Sequence, residues 1–203
     1  MAEKENSLNF LIGRVILEST STSNAGKETI MSTIDDAIKA NDNYSRGFSH
    51  GNLAMPPARK LAIVACMDAR LTIEPMLGLK TGDAHIIRNA GGIVTEDVVR
   101  SLIISQQLLG TQEVLVINHT DCGMLTFKDD ELRSRLVNST DKLAVVPARF
   151  YAFNDVEQNV LEQIQKIRTH PWIPQQIKVR GFVYDVKTGR LNEVREAKLR
   201  RVA

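Results

Sequence analysis

The 203-residue chain is 43% hydrophobic and carries 26 Lys and Arg against 24 Asp and Glu, a formal charge of +2. That length supports one substantial core, and so small a positive excess gives no broad electropositive face for nucleic acid. No apolar run approaches the roughly 20 residues that span a bilayer, so no membrane role is expected.

The N-terminus begins with Glu3, Lys4 and Glu5 and has no small-residue cleavage pattern, so it resembles neither a secretory nor a transit signal. A cytoplasmic setting is the expectation, and there two cysteines serve as ligands or free thiols rather than as a disulfide. Residues 1–41 read as an N-terminal helical arm and linker: a short helix over residues 8–17, a Ser/Thr/Asn/Gly stretch over 19–26, and a helical pattern from Ile30 to about Asn41. Residues 42–203 read as one domain, entered through a loop at 48–57 that holds Gly51, Pro56 and Pro57.

Residues 61–65 are an unbroken apolar run, the pattern of a strand covered on both faces of a parallel sheet, and 84–88 and 114–117 share that character. Between the latter two, residues 95–109 have helical period, with Thr95 as N-cap, Glu96 and Asp97 in the first turn and Gly110 as terminator. Strand, helix, strand at this length makes a βαβ unit. A second amphipathic helix follows over 154–169, and then a hairpin at the sheet edge, 179–186 with 191–194 across Lys187-Thr188-Gly189. The predicted fold is α/β: a single domain with a mainly parallel central sheet flanked by helices, an antiparallel edge hairpin and the N-terminal helical arm.

The two cysteines carry the chemistry. Cys66 ends the first strand in Cys66-Met67-Asp68-Ala69-Arg70, and Cys122 closes His119-Thr120-Asp121-Cys122 just after the third. Ligands in an open parallel sheet converge beyond the carboxyl ends of its strands. Two thiolates and an imidazole there make a three-ligand zinc site with an open fourth position, the mark of a catalytic rather than a closed structural zinc. Asp68 and Arg70 are either a catalytic dyad, with the carboxylate orienting a metal-bound hydroxide and the guanidinium holding it ionised and off the metal, or an ordinary surface ion pair. The glycines of Arg88-Asn89-Ala90-Gly91-Gly92 allow backbone N–H groups near a developing oxyanion, or simply make a tight turn. His85 and the groups around Asp121 are candidate proton carriers, although a plain strand position explains His85 better. Met124 and Phe127 line either a pocket or the core.

Together these motifs resemble the β-class carbonic anhydrases, whose Cys-x-Asp-x-Arg and His-x-x-Cys pair stands here with Ile86-Ile87-Arg88-Asn89-Ala90-Gly91-Gly92 between them and the Arg180 to Leu191 segment near the end. The resemblance covers about residues 42–194 and is similar to a short microbial branch that also includes carbonyl sulfide and carbon disulfide hydrolases. It implies one Zn²⁺ per subunit on Cys66, His119 and Cys122, a catalytic dyad of Asp68 and Arg70, and a homodimer or homotetramer with apolar pockets near subunit interfaces; the glycine loop at Ala90, Gly91 and Gly92 is the candidate substrate pocket. The implied reaction is zinc-hydroxide attack on a small linear molecule: hydration of carbon dioxide to bicarbonate, or else hydrolysis of carbonyl sulfide or carbon disulfide. A non-catalytic alternative is a zinc-binding redox sensor, whose thiols would be open to mild oxidant.

Overall fold

A computed structural model of the chain describes residues 32–195, apart from 143 and 145. The helix expected over residues 8–17 therefore lies outside the described residues. Contacts divide the chain into two units, Met1–Asn52 and Leu53–Ala203.

In the first unit, α1 (Thr33–Arg46) opens on a capping box: the Ser32 hydroxyl accepts from the Asp35 N–H while the Asp35 carboxylate accepts from the Ser32 backbone. That cap places the start at Thr33 rather than near Ile30, and the helix continues past Asn41 to Arg46. None of its residues is buried, and Ile34, Ile38 and Tyr44 are exposed.

The second unit is built on a five-stranded sheet in the order β2-β1-β3-β4-β5, from β1 (Leu61–Cys66), β2 (Ala84–Asn89), β3 (Glu113–His119), β4 (Lys178–Tyr184) and β5 (Leu191–Val194). The first four are parallel and β5 returns antiparallel to β4. The β1 side chains alternate between two cores, as strand geometry requires. Ala62 and Val64 join Val98 and Leu102 of α3 (Glu96–Gln107) and Val160 and Ile164 of α5 (Val156–Thr169). Ile63 and Ala65 join Leu71, Cys66, Cys122 and Ile73, the last from the short α2 (Ile73–Leu77). Thr95 precedes α3 as expected, but its side chain makes no cap bond; Asp155 caps α5 through the Gln158 N–H. The edge hairpin turns through Asp185, which accepts from the Lys187 and Thr188 N–H groups, so β4 stops at Tyr184 rather than Val186. Two helices have no counterpart in the sequence reading: the short α2, and α4 (Asp129–Thr140), which buries no side chain.

Gly181 of β4 marks a close approach of α5 to the sheet. A Cβ there would meet Val160 Cγ1 and lie 2.7 Å from Ile164 Cδ1, so the helix rests directly on strand backbone. Gly181→Ala is expected to lower unfolding free energy by about 1–3 kcal/mol through overpacking, read as an earlier denaturant midpoint with an unchanged slope.

Candidate metal centre

Parallel pairing of β1 with β3 brings Ala65 opposite Ile117, so both strands end on the same side of the sheet, and Cys66 and His119 stand at those ends. Cys122 follows within one turn. The Cys66, His119 and Cys122 donor atoms all lie within 4.8 Å of one another, and the residues are 5%, 0% and 3% exposed.

His119 Nδ1 lies 2.9 Å from the Thr120 carbonyl oxygen. That contact places the ring proton on Nδ1 and leaves Nε2 with its lone pair, buried and without a hydrogen-bond partner. An orphaned buried acceptor costs about 1–3 kcal/mol. The sulfurs pose a related problem, because they compete for one negative charge. The Cys122 thiol donates to the Cys66 sulfur, and that bond, with the Asp68 and Gly91 N–H groups directed at the same sulfur, pulls Cys66 well below the usual thiol range. The same bond pushes Cys122 up. A dication answers both problems: it takes the Nε2 lone pair and lets both sulfurs be thiolates. The donor set therefore fits zinc.

Beside the donors, Arg70 grips Asp68 as a fork, with Nε 2.9 Å from Oδ1 and Nη2 2.8 Å from Oδ2, and the Arg70 N–H also donates to Oδ1 at 2.9 Å. These bonds, the guanidinium's first, hold the Asp68 carboxyl at about 2. Asp68 Oδ2 lies 3.7 Å from His119 Nε2, so the carboxylate is adjacent to the donors with both oxygens engaged elsewhere.

Several supports were not evident in the sequence. Arg88 donates to the Cys66 carbonyl at 3.1 Å and the Asp68 carbonyl at 2.7 Å, bracing the loop that carries both. The turn over Ala90–Gly92 is closed by paired bonds between Asn89 and Ile93. Gly92 has φ +61, and a Cβ there would stand 2.7 Å from Asn118 Nδ2 and 3.0 Å from the Cys66 nitrogen, so only glycine lets this turn lie against the end of β1. The Gly91 N–H is directed at the Cys66 sulfur, and the Gly91 carbonyl accepts from Asn118. Behind Asn118 runs a buried amide ladder: Asn159 donates to Asn118 at 2.9 Å, Gln163 donates to Asn159 at 2.8 Å, and the Val94 N–H donates back to Gln163 at 2.9 Å.

Met124 and Phe127 both pack in the apolar cluster that holds Cys66 and Cys122, and Phe153, unforeseen, packs there too. The Phe153 N–H bonds the Met124 carbonyl, and Asp129 accepts from the N–H groups of Phe150, Tyr151 and Ala152 just before it. His85 is misplaced for proton transfer at the cluster. It pairs with Ala62 toward the opposite end of the sheet, where its Nδ1 bonds the Ser105 hydroxyl at 2.7 Å.

A family model described as carbonic anhydrase matches residues 61–191. Beta-carbonic anhydrase 1 of Mycobacterium tuberculosis is 48% identical over 164 residues, covering 81% of this chain and 99% of that protein. The chain belongs to the β-carbonic anhydrase family. The crystal structure of carbonic anhydrase from Streptococcus mutans superposes on this β-carbonic anhydrase fold with a TM-score of 0.76 at 47% identity, covering 82% of this chain and all of the other. The family includes relatives of another name: a carbon disulfide hydrolase of an Acidianus strain is 35% identical over 182 residues, covering 79% of this chain and 88% of its own length. Among the described residues, no helix is long and apolar enough to cross a membrane.

A folded carboxyl held at about 2 against an ordinary 3.8 stabilises the protein above pH 3.8, and that contribution is lost as pH falls through 2. With a chelator present to remove metal effects, the stability gap between wild type and Asp68→Asn should therefore close between those two values. A gap that stays constant on denaturant titration would contradict the Arg70 clamp.

Proposed function

We propose that the protein is a zinc-dependent hydrase that reversibly converts carbon dioxide to bicarbonate in the cytoplasm. The observation that carries this reading is the clamped carboxylate: Asp68 sits 3.7 Å from His119 Nε2 while Arg70 engages both its oxygens. A purely structural zinc site has no need of an acid held close to the donors yet kept off them. The Sγ atoms of Cys66 and Cys122 and Nε2 of His119 would hold the ion, and zinc there would supply a water acidic enough to act as a nucleophile. Asp68, ionised because Arg70 keeps it so, would accept a hydrogen bond from the attacking water and turn its lone pair toward the substrate carbon. Gly91, whose N–H is directed at the Cys66 sulfur, borders the donors, and Met124 and Phe153 pack against that glycine, an apolar surround suited to a small uncharged molecule.

Hydrolysis of carbonyl sulfide or carbon disulfide is the second reading, favoured by the 35% identity to a carbon disulfide hydrolase. The same nucleophile attacks either carbon, since all these molecules are linear and electrophilic there. The redox-sensor reading fits less well, because both sulfurs are buried rather than offered to an oxidant. A homodimer or homotetramer is part of the proposal. An isolated 14-residue helix is marginal in water, and among the described residues α1 buries none of its side chains, so a second copy is a natural cover for it.

One zinc-replete preparation, assayed for proton release from carbon dioxide and for sulfide release from carbonyl sulfide and carbon disulfide, decides the substrate, with Cys66→Ser as the blank. Fast proton release with negligible sulfide is the expected result, and the reverse pattern would replace hydration with hydrolysis. Two thiolates cancel the formal charge of Zn²⁺, so the bound water should be less acidic than the pKa of about 7 found with three histidines. The rate should accordingly climb on the alkaline side of neutrality, and a flat profile would count against the mechanism.

A further inference from the structure

Asp121 lies between Thr120 and Cys122 with φ 56, in the left-handed region. A turn that needed only this backbone would be made most easily by glycine. What aspartate adds is a second carboxylate for Arg70. Asp121 Oδ2 accepts from Nη1 at 2.9 Å and the Asp121 carbonyl accepts from Nη2 at 3.1 Å, on the guanidinium edge next to the one Asp68 occupies. One planar fork is thus held along two edges, by the loop after β1 and by the loop after β3.

The exposure of this pair rules out a large role in stability. The Asp121 side chain is 73% exposed and that of Arg70 47%, and an exposed pair contributes about 0–1 kcal/mol. Geometry is where it acts. A guanidinium gripped only by Asp68 can swing about its long stem and carry the carboxylate with it, whereas one also tied to a backbone carbonyl and a carboxylate beside Cys122 cannot. We propose that Asp121 is a positioning residue for the hydration reaction: it fixes the plane of Arg70, and through Arg70 the orientation of Asp68 beside the three donors. The inference rests on the role given to Asp68 above.

Asp121→Gly keeps the backbone conformation and removes only the carboxylate. Asp121→Asn keeps an acceptor for Nη1 and tolerates the same φ. Asp97→Asn, which takes the charge out of a comparable exposed pair with Arg100, controls for loss of any surface carboxylate charge beside an arginine. Three quantities are measured on zinc-replete protein: bound zinc, kcat and KM, and the rate at which phenylglyoxal modifies Arg70, followed by peptide mass.

Asp121→Gly is expected to raise Arg70 modification about tenfold and lower kcat about tenfold, with KM and zinc content unchanged, the pattern of an interaction made in the transition state. Asp121→Asn should restore most of both, and Asp97→Asn should alter neither. Wild-type modification and kcat in Asp121→Gly would overturn the proposal and leave Asp121 a turn residue. The modification rate does not depend on turnover, so wild-type protein that hydrates nothing would defeat the hydrase reading while the grip of Asp121 on Arg70 was still decided.

Discussion

The parallel pairing of β1 with β3 is the constraint from which the site follows. Neighbouring parallel strands in register must end side by side, so a cysteine closing one and a histidine closing the other are delivered to the same few ångströms. Their proximity creates an electrostatic demand. Two sulfurs and an imidazole cannot be packed together at 5% exposure or less without sharing protons or sharing a cation. Burial of β1 between two cores makes the arrangement stiff, since a strand covered on both faces has no register to slip into.

Around that constraint the chain fixes loops rather than side chains. Arg88 holds the carbonyls of Cys66 and Asp68, Gly92 allows the neighbouring turn to touch β1, and the Asn118–Asn159–Gln163 ladder ties that turn to α5. Each brace acts on backbone that carries or contacts a donor. Buried amides are tolerable only when satisfied, and here they join the sheet, the glycine turn and α5.

Much of this was legible in the sequence, for physical reasons that also mark where legibility stops. Fully buried strands appear as unbroken apolar runs, so β1, β2 and β3 were placed to within two residues at each end. The cysteine and histidine positions could be read because they terminate those runs. Helix α4 left no signal because it buries nothing, and a helix without an apolar stripe has no period to detect. The capping box of α1 uses Asp35 where the usual pattern has Glu or Gln, so its start was set too early. Asn159 and Gln163 sit on the same buried face of α5 as Val160, Ile164 and Ile167. Two amides on an apolar stripe were the available sign of the ladder, but their partner Asn118 lies on β3, and sequence spacing does not report contacts across 41 residues.

On the proposed reading, the distribution of these contacts also explains how one family supports different substrates. The three donors, Asp68 and Arg70 all act on the nucleophile, which is the same whether the carbon attacked carries oxygen or sulfur. Retaining them says nothing about the electrophile. Discrimination has to reside in what the far end of a linear molecule touches, and sulfur is the larger atom there. In this chain the side chains packed on the glycine turn beside the donors include Met124, next but one to a donor, and Phe153, which belongs to the connection into α5. The Phe153 ring and the Met124 side chain both close on Gly91: a Cβ there would lie 3.3 Å from the ring and 3.0 Å from Met124 Cγ. Asp129 sets that connection by holding three consecutive N–H groups just ahead of the ring. A change in that connection therefore reaches the side chains packed on the glycine turn from a segment remote from both motifs, with the nucleophile and its clamp left intact.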